Sequence, residues 1–121
     1  MRGHLPKVLL IEGDDLEGAK LKFVARGRLA VTVEHHPLNA INRVGLEDFD
    51  AVVVDPDVSL LPVTEKLLEL LGSLRVPVMV IEKETGNSRQ LSASARLRNR
   101  MLLRSRFVDS VLACLPEQVP A

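Results

Sequence analysis

Three apolar runs of the sequence end in carboxylates. Val8-Leu9-Leu10-Ile11 runs into Glu12-Gly13-Asp14-Asp15, Ala51-Val52-Val53-Val54 into Asp55-Pro56-Asp57, and Val76-Pro77-Val78-Met79-Val80-Ile81 into Glu82. Carboxylates gathered in one place repel one another, and a hard divalent cation such as Mg²⁺, which takes oxygen ligands and bridges to phosphate oxygens, relieves that repulsion. A carboxylate beside such a cation can attack a phosphoryl donor and form an acyl phosphate. The metal and a neighbouring basic group then neutralise the charge that develops. The plainer alternative is that acidic residues after strands cap helix N-termini, where exposed N–H groups and the helix dipole favour negative charge. Taken singly, Asp14, Asp15 and Asp57 suit that alternative equally well. Their recurrence with Glu12, Asp55 and Glu82 at successive strand ends favours a site.

The elements that must position these residues can be read from periodicity. Lys7–Ile11 is a continuous apolar run of the kind buried on both faces of a parallel sheet. Leu16 to Arg26 reads as a helix with Leu16, Ala19, Phe23 and Val24 on one face and Gly27 as its stop. Leu29 to Val33 is a second strand, and Pro37 opens a helix through Ala40, Ile41 and Val44. Ala51 to Val54 is the strongest strand, with Asp55 at its C-terminal end. After a loop from Pro56 to Pro62, Thr64 to Leu74 reads as a helix, with Thr64-Glu65 as its cap and Leu67, Leu68, Leu71 and Leu74 at helical spacing. Val76 to Ile81 is a fourth strand, Ser88 to Arg100 a helix, and Met101 to Leu103 a short strand. Phe107 to Leu115 is a final helix with Phe107, Val108, Val111, Leu112 and Leu115 inward. Alternation of strands and helices implies an α/β fold, with a parallel sheet covered on both faces and right-handed crossovers. In such sheets the functional crevice lies beyond the C-terminal strand ends, where the strand order reverses. The carboxylates named above fall along that edge.

Bulk properties narrow the classes. The chain has 121 residues, enough for one domain of ordinary size, and its 46% apolar content can bury one core. Residues 1–116 read as that domain, and 117–121 as a linker or tail stub. Sixteen basic and sixteen acidic residues cancel, so no global field draws the chain to nucleic acid or anionic lipid. With neither Trp nor Tyr, only Phe23, Phe49 and Phe107 could stack on bases, sugars or flat cofactors. The single cysteine, Cys114, forms no internal disulfide and suits a reducing compartment, so a cytoplasmic setting is expected. Residues 1–7 are too short and polar for a signal peptide, and no apolar run approaches membrane-spanning length.

The succession Val8-Leu9-Leu10-Ile11-Glu12, then Phe49-Asp50-Ala51-Val52-Val53-Val54-Asp55-Pro56-Asp57, then Val76-Pro77-Val78-Met79-Val80-Ile81 resembles the receiver domains of bacterial response regulators. The resemblance spans Lys7 to Leu115, and Glu65 matches a glutamate common in the family's third helix. It implies a flavodoxin-like (βα)5 fold of chemotaxis-regulator type with strand order 2-1-3-4-5. By position, Asp55 would be the phospho-accepting aspartate, Glu12 the first member of the acidic pair that holds Mg²⁺, and Asp57 the donor of a backbone carbonyl to that metal. Glu82 falls where the family has the Ser or Thr that follows the phosphate, and Arg104 where it has the lysine that pairs with the phosphoryl group.

The departures from that pattern matter together. The second acidic position is Gly13, so Mg²⁺ loses a ligand unless Asp14 or Asp15 swings in. Glu82 would repel a phosphoryl group on Asp55. Arg104 keeps the lysine's charge without its compact geometry. Ser59 and Val63 replace the family's usual Pro and Gly, and Val63 could hold a positive φ only with strain. The reading is therefore a pseudo-receiver of the two-component or phosphorelay type, in which Arg104 permanently neutralises Asp55 or Glu82. It is a signalling module rather than an enzyme, and its use of Mg²⁺ is doubtful. A working phospho-receiver using Glu12, Asp14 and Asp55 with Mg²⁺ is the alternative, and a small Mg²⁺-dependent hydrolase on the same fold is the remote one.

Charge is unevenly spread along the chain. Gly86 to Arg106 holds six arginines and no acid, whereas Gly45 to Glu84 holds nine acids against three basic residues. Arg96 and Arg100, a helical turn apart, with Arg104 and Arg106, read either as a solvated surface or as a docking face. Receivers make output and dimer contacts through the fourth helix, fifth strand and fifth helix, where this segment maps. A histidine kinase, an output protein or a second copy would be the partner, and nucleic acid would not, since no recognition motif accompanies the charge. His4, His35 and His36 read as surface residues, and Cys114 as a buried thiol on an apolar helix.

Overall fold

The computed structural model describes residues 5–56, 61–74, 76–82 and 100–115. Five parallel strands, β1 (Lys7–Ile11), β2 (Ala30–Glu34), β3 (Ala51–Val54), β4 (Val78–Glu82) and β5 (Arg100–Leu103), form one sheet in the order β2-β1-β3-β4-β5. The described helices are α1 (Asp15–Val24), α2 (Pro37–Leu46), α3 (Leu61–Leu71) and α4 (Phe107–Cys114), the last preceded by a 3-10 turn at Arg104–Arg106. This is the α/β architecture and strand order expected. The expected helix from Ser88, which carries Arg96, lies outside the described residues except for Arg100. Asp57 and the tail from 117 also lie outside them.

The sheet is covered on both faces because its strands are apolar at every position. Val8, Leu10, Val53, Met79 and Ile81 turn one way and pack with Leu21 of α1, Ala25 at its C-terminal cap, and Phe107 and Val111 of α4. Leu9, Ile11, Val52, Val54 and Val80 turn the other way, onto Ala40 of α2 and Leu67, Leu68 and Leu71 of α3. Alternate side chains of one strand thus feed two cores. Val8, Leu9 and Leu10 are fully buried, each contributing roughly 1.5–3 kcal/mol of hydrophobic stabilisation. Among the described residues, no helix is long and apolar enough to cross a membrane.

Local chemistry sets the helix ends. Asp14 is extended and its Oδ1 accepts from the N–H groups of Leu16 (2.9 Å) and Glu17 (3.0 Å), which starts α1. His36 does the same for α2, its Nδ1 accepting from Leu38 N–H at 3.2 Å with Pro37 at the first helical position. After α1 the chain turns through Gly27 at φ +86°, a conformation that suits a residue with no Cβ.

Four details of the sequence reading are corrected. The buried side of α1 is Gly18 and Leu21, continued by Ala25, while Leu16 (64%), Phe23 (63%) and Val24 (59%) are exposed. Close approach to β2 selects that side: a Cβ at Gly18 would lie 2.9 Å from Val33 Cγ1, so only glycine fits there without movement. The third helix begins at Leu61, so buried Thr64 lies within it and is not its cap; Pro62 is accommodated in the first turn, where its missing N–H has no partner to lose. Val63 sits in that helix, and no described non-glycine residue has a positive φ, so the strain expected there does not arise. Arg100 begins β5, paired with Met79, instead of ending a helix.

Candidate functional site

The strand order reverses between β1 and β3, and Glu12 and Asp55 follow those two strands. Their backbones prolong the ladder, Glu12 N–H donating to Glu34 O and Asp55 N–H to Ile11 O, each at 2.9 Å. Both carboxyls are thereby fixed at one point and sunk: Glu12 is 5% exposed and Asp55 6%. Glu82 ends β4 on the same edge, in register with Leu103, and Arg104 follows directly as β5 turns into the 3-10 segment.

Arg104 is the cation of the site. Its Nη2 donates to Asp55 Oδ2 and lies 3.9 Å from Glu12 Oε1, while its Nε lies 3.6 Å from Glu17 Oε1. One guanidinium therefore serves three acids contributed by β1, α1 and β3. Burial alone would favour the neutral guanidine, but Asp55, by charge and by hydrogen bond, raises the Arg104 pKa, with Glu17 and Glu12 adding to it.

Glu12 behaves differently from its neighbour. Its Oε2 accepts from Asp14 N–H at 3.1 Å, whereas its buried Oε1 has no hydrogen-bond donor among the described residues. Burial, then a hydrogen bond and repulsion from Asp55, pushes its pKa up to about 8 against the pull of Asp14 N–H and Arg104. A proton held on Glu12 relieves the repulsion between the two neighbouring carboxyls.

Of the other candidates, Asp14 is occupied as the cap of α1 and Asp15 lies 3.1 Å from His35 Nε2. Arg100 is exposed and its Nη1 lies 3.0 Å from Cys114 Sγ; Arg106 is exposed, and Arg104 is turned inward. Cys114 is half-buried rather than buried. Sequence reasoning missed Glu17 and His35. Glu17 stands three residues after the cap, on the first turn of the helix that leaves the acidic loop, and that position was the available signal. His35 holds the loop from the side, its Nδ1 2.8 Å from the Glu12 carbonyl, and no periodicity announces such a contact.

The architecture is that of response-regulator receiver domains. The structure is similar to a CheY-like receiver domain from Methylobacillus flagellatus (14% identity, 91% of this chain and 98% of that one, TM-score 0.67). It is also similar to the receiver domain of Francisella response regulator 1452 (18% identity, 89% and 91%, TM-score 0.65). The N-terminal domain of a receiver protein from Methanoculleus marisnigri aligns over 95% of this chain and 100% of that one at 11% identity and TM-score 0.64. The sequence matches no protein-family model and no curated protein.

That fold implies a divalent cation at the acidic edge, and the donor set among the described residues does not fit one. Gly13 brings no ligand, the Asp14 carboxylate caps α1, and Glu12 Oε2 takes the Asp14 N–H. The guanidinium of Arg104 stands against the Asp55 oxygen that a metal would claim. Among the described residues, no group of three or more His, Cys, Asp or Glu side chains is placed to hold a metal ion.

Proposed function

We propose that this chain is a receiver-like signalling module whose Asp55 position is held by Arg104 in place of metal and phosphate, and which acts through protein contacts without substrate turnover. The observation that supports the reading is the direct bond from Arg104 Nη2 to Asp55 Oδ2, with the Asp55 side chain only 2% exposed. An acyl phosphate forms only if the carboxylate is reachable and a cation neutralises the incoming charge. Here the cation is part of the chain, it already lies on the nucleophilic oxygen, and Glu12 and Glu17 share it. A phosphoryl donor would have to displace a charge-assisted hydrogen bond from a partly dry site, and such bonds are about twice as strong as neutral ones. The pair ties β5 to β3, so it fixes the face on which Arg100 and Arg106 are exposed. That face would meet a histidine kinase, an output protein or a second copy, in a cytoplasmic setting.

Incubation of the chain with acetyl phosphate, or with beryllofluoride, in the presence of Mg²⁺ tests the reading by intact mass and amide NMR. No adduct and unchanged spectra around Asp55 are expected. Stoichiometric modification that disappears in Asp55→Asn would overturn it and establish the phospho-accepting receiver instead.

A further inference from the structure

At the other end of the sheet, where β1 and β2 begin, α1 and β2 border an open groove of about 640 Å³. Its floor is apolar, built from Ala19, Phe23, Leu29 and Val31, and Phe23 is largely exposed there. Among the described residues its charged lining is Lys7, Lys22 and Arg26, with no acid, and Arg26 stacks over the Phe23 ring at 4.6 Å from its centroid. β2 is an outer strand of the sheet. Ala30 N–H donates inward to Pro6 O at 2.8 Å, and Glu34 O accepts inward from Glu12 N–H at 2.9 Å. Since backbone groups alternate direction along a strand, Val31 and Val33 turn their N–H and C=O groups outward, toward the open edge.

We propose that this groove takes an extended segment of a partner protein, with apolar and acidic side chains together on one of its faces, at every second position, which pairs along β2 as an added strand. Strand addition supplies sequence-independent backbone hydrogen bonds, and side chains on one face of the added strand supply selectivity. Apolar side chains of the segment rest against Phe23 and Leu29, and its carboxylates meet Lys22 and Arg26. The basic lining favours an acidic segment, and a second copy of this chain is the competing occupant that the test distinguishes. The inference is independent of the state of Asp55, since none of that site's residues line the groove.

A random peptide library panned against the full chain, followed by titration of the enriched peptide into isotope-labelled protein, tests this. Enriched peptides are expected to carry Asp or Glu and apolar residues two positions apart, on one strand face, and to shift the Val31 and Val33 amides. Their affinity should fall at least about tenfold with Lys22→Glu plus Arg26→Glu, both exposed positions that leave the core intact. N-methylation of alternate residues of the same peptide, which needs no altered protein, should abolish binding in one register only. The proposal is overturned if nothing is enriched, if the peptides lack acids, or if binding survives charge reversal or N-methylation in both registers. Concentration-dependent dimerisation lost on the same charge reversal would also overturn it, giving the groove to a second copy.

Discussion

Arg104 and Asp55 stand 49 positions apart in the chain and meet at the strand ends, Nη2 donating to Oδ2. The contact spans three strands of the sheet, from β3 across β4 to the end of β5, so it couples the acidic edge to the segment that leads into α4. Removal of Arg104 takes its cation from buried Asp55, whereas removal of Asp55 leaves a partly exposed Arg104 still facing Glu12 and Glu17, and that asymmetry makes the coupling measurable.

Arg104→Ala is expected to destabilise the chain by roughly 1–3 kcal/mol, below the usual cost of breaking a fully buried pair because the Arg104 side chain is 34% exposed. A double-mutant cycle with Asp55→Asn should return a coupling of about 1 kcal/mol or more. Arg104→Lys should recover only part of the loss, since a single ammonium nitrogen cannot stand at the two points, facing Asp55 and facing Glu17, that Nη2 and Nε of the planar guanidinium occupy. Urea unfolding of the four forms provides the measurement; additive effects within error would mean that the pair holds nothing.

Glu12 makes stability depend on pH in an unusual direction. Its native pKa is raised to about 8 from an ordinary 4.5, chiefly by burial and then by Asp55. Between those values the folded chain holds a proton that the unfolded chain has lost, so this group's contribution weakens as pH rises through the window, by at most ~1.4 kcal/mol per pH unit. Glu12→Gln keeps the shape and cannot ionise. It should match the native chain near pH 4, exceed it in stability near pH 8, and flatten the curve between. Parallel stability curves for the two proteins across that range would show that Glu12 is ionised in the fold.

Much of this was legible in the sequence because strands buried on both faces must be apolar throughout. β1 and β3 have the bounds the apolar runs gave them, and Asp55 follows β3 as expected. The edge where acids meet Arg104 also followed from strand ends and resemblance together. What failed was the orientation of α1. Hydrophobicity favoured Leu16, Phe23 and Val24, but the helix lies so close to β2 that its inner side is made of Gly18, Leu21 and Ala25. Composition registers the affinity of a side chain for water and is blind to how near two backbones must come. Glu17 and His35 escaped for a related reason, since their contacts arise from the path of the loop around Glu12.

Mg²⁺ should bind the native chain weakly, in the millimolar range or above, because Arg104 competes for Asp55 and Gly13 offers no ligand. Arg104→Ala removes the competing charge from the Asp55 oxygen it contacts, so affinity for Mg²⁺ should rise at least roughly fivefold. Calorimetric or NMR titration of both proteins reads the difference. Equal affinities would separate Arg104 from the question of metal binding.

Two helical glycines should respond to alanine in opposite ways. Gly45, in the last turn of α2, has nothing within 4 Å of a new Cβ, so Gly45→Ala should stabilise by about 0.5–1 kcal/mol through helix propensity and reduced freedom of the unfolded chain. Gly18 gains the same propensity, but its Cβ would press on Val33 Cγ1 at 2.9 Å and approach Glu12 Cγ at 3.6 Å. Val33 is β-branched and held in the strand, so it cannot swing its methyl aside without leaving its rotamer. Overpacking of this kind costs roughly 1–3 kcal/mol and outweighs the propensity gain. Gly18→Ala should therefore destabilise, and Val33→Ala in the same chain should relieve part of that loss. Thermal unfolding of the single and double variants decides the matter: a stabilising Gly18→Ala would place α1 farther from β2 than this packing requires.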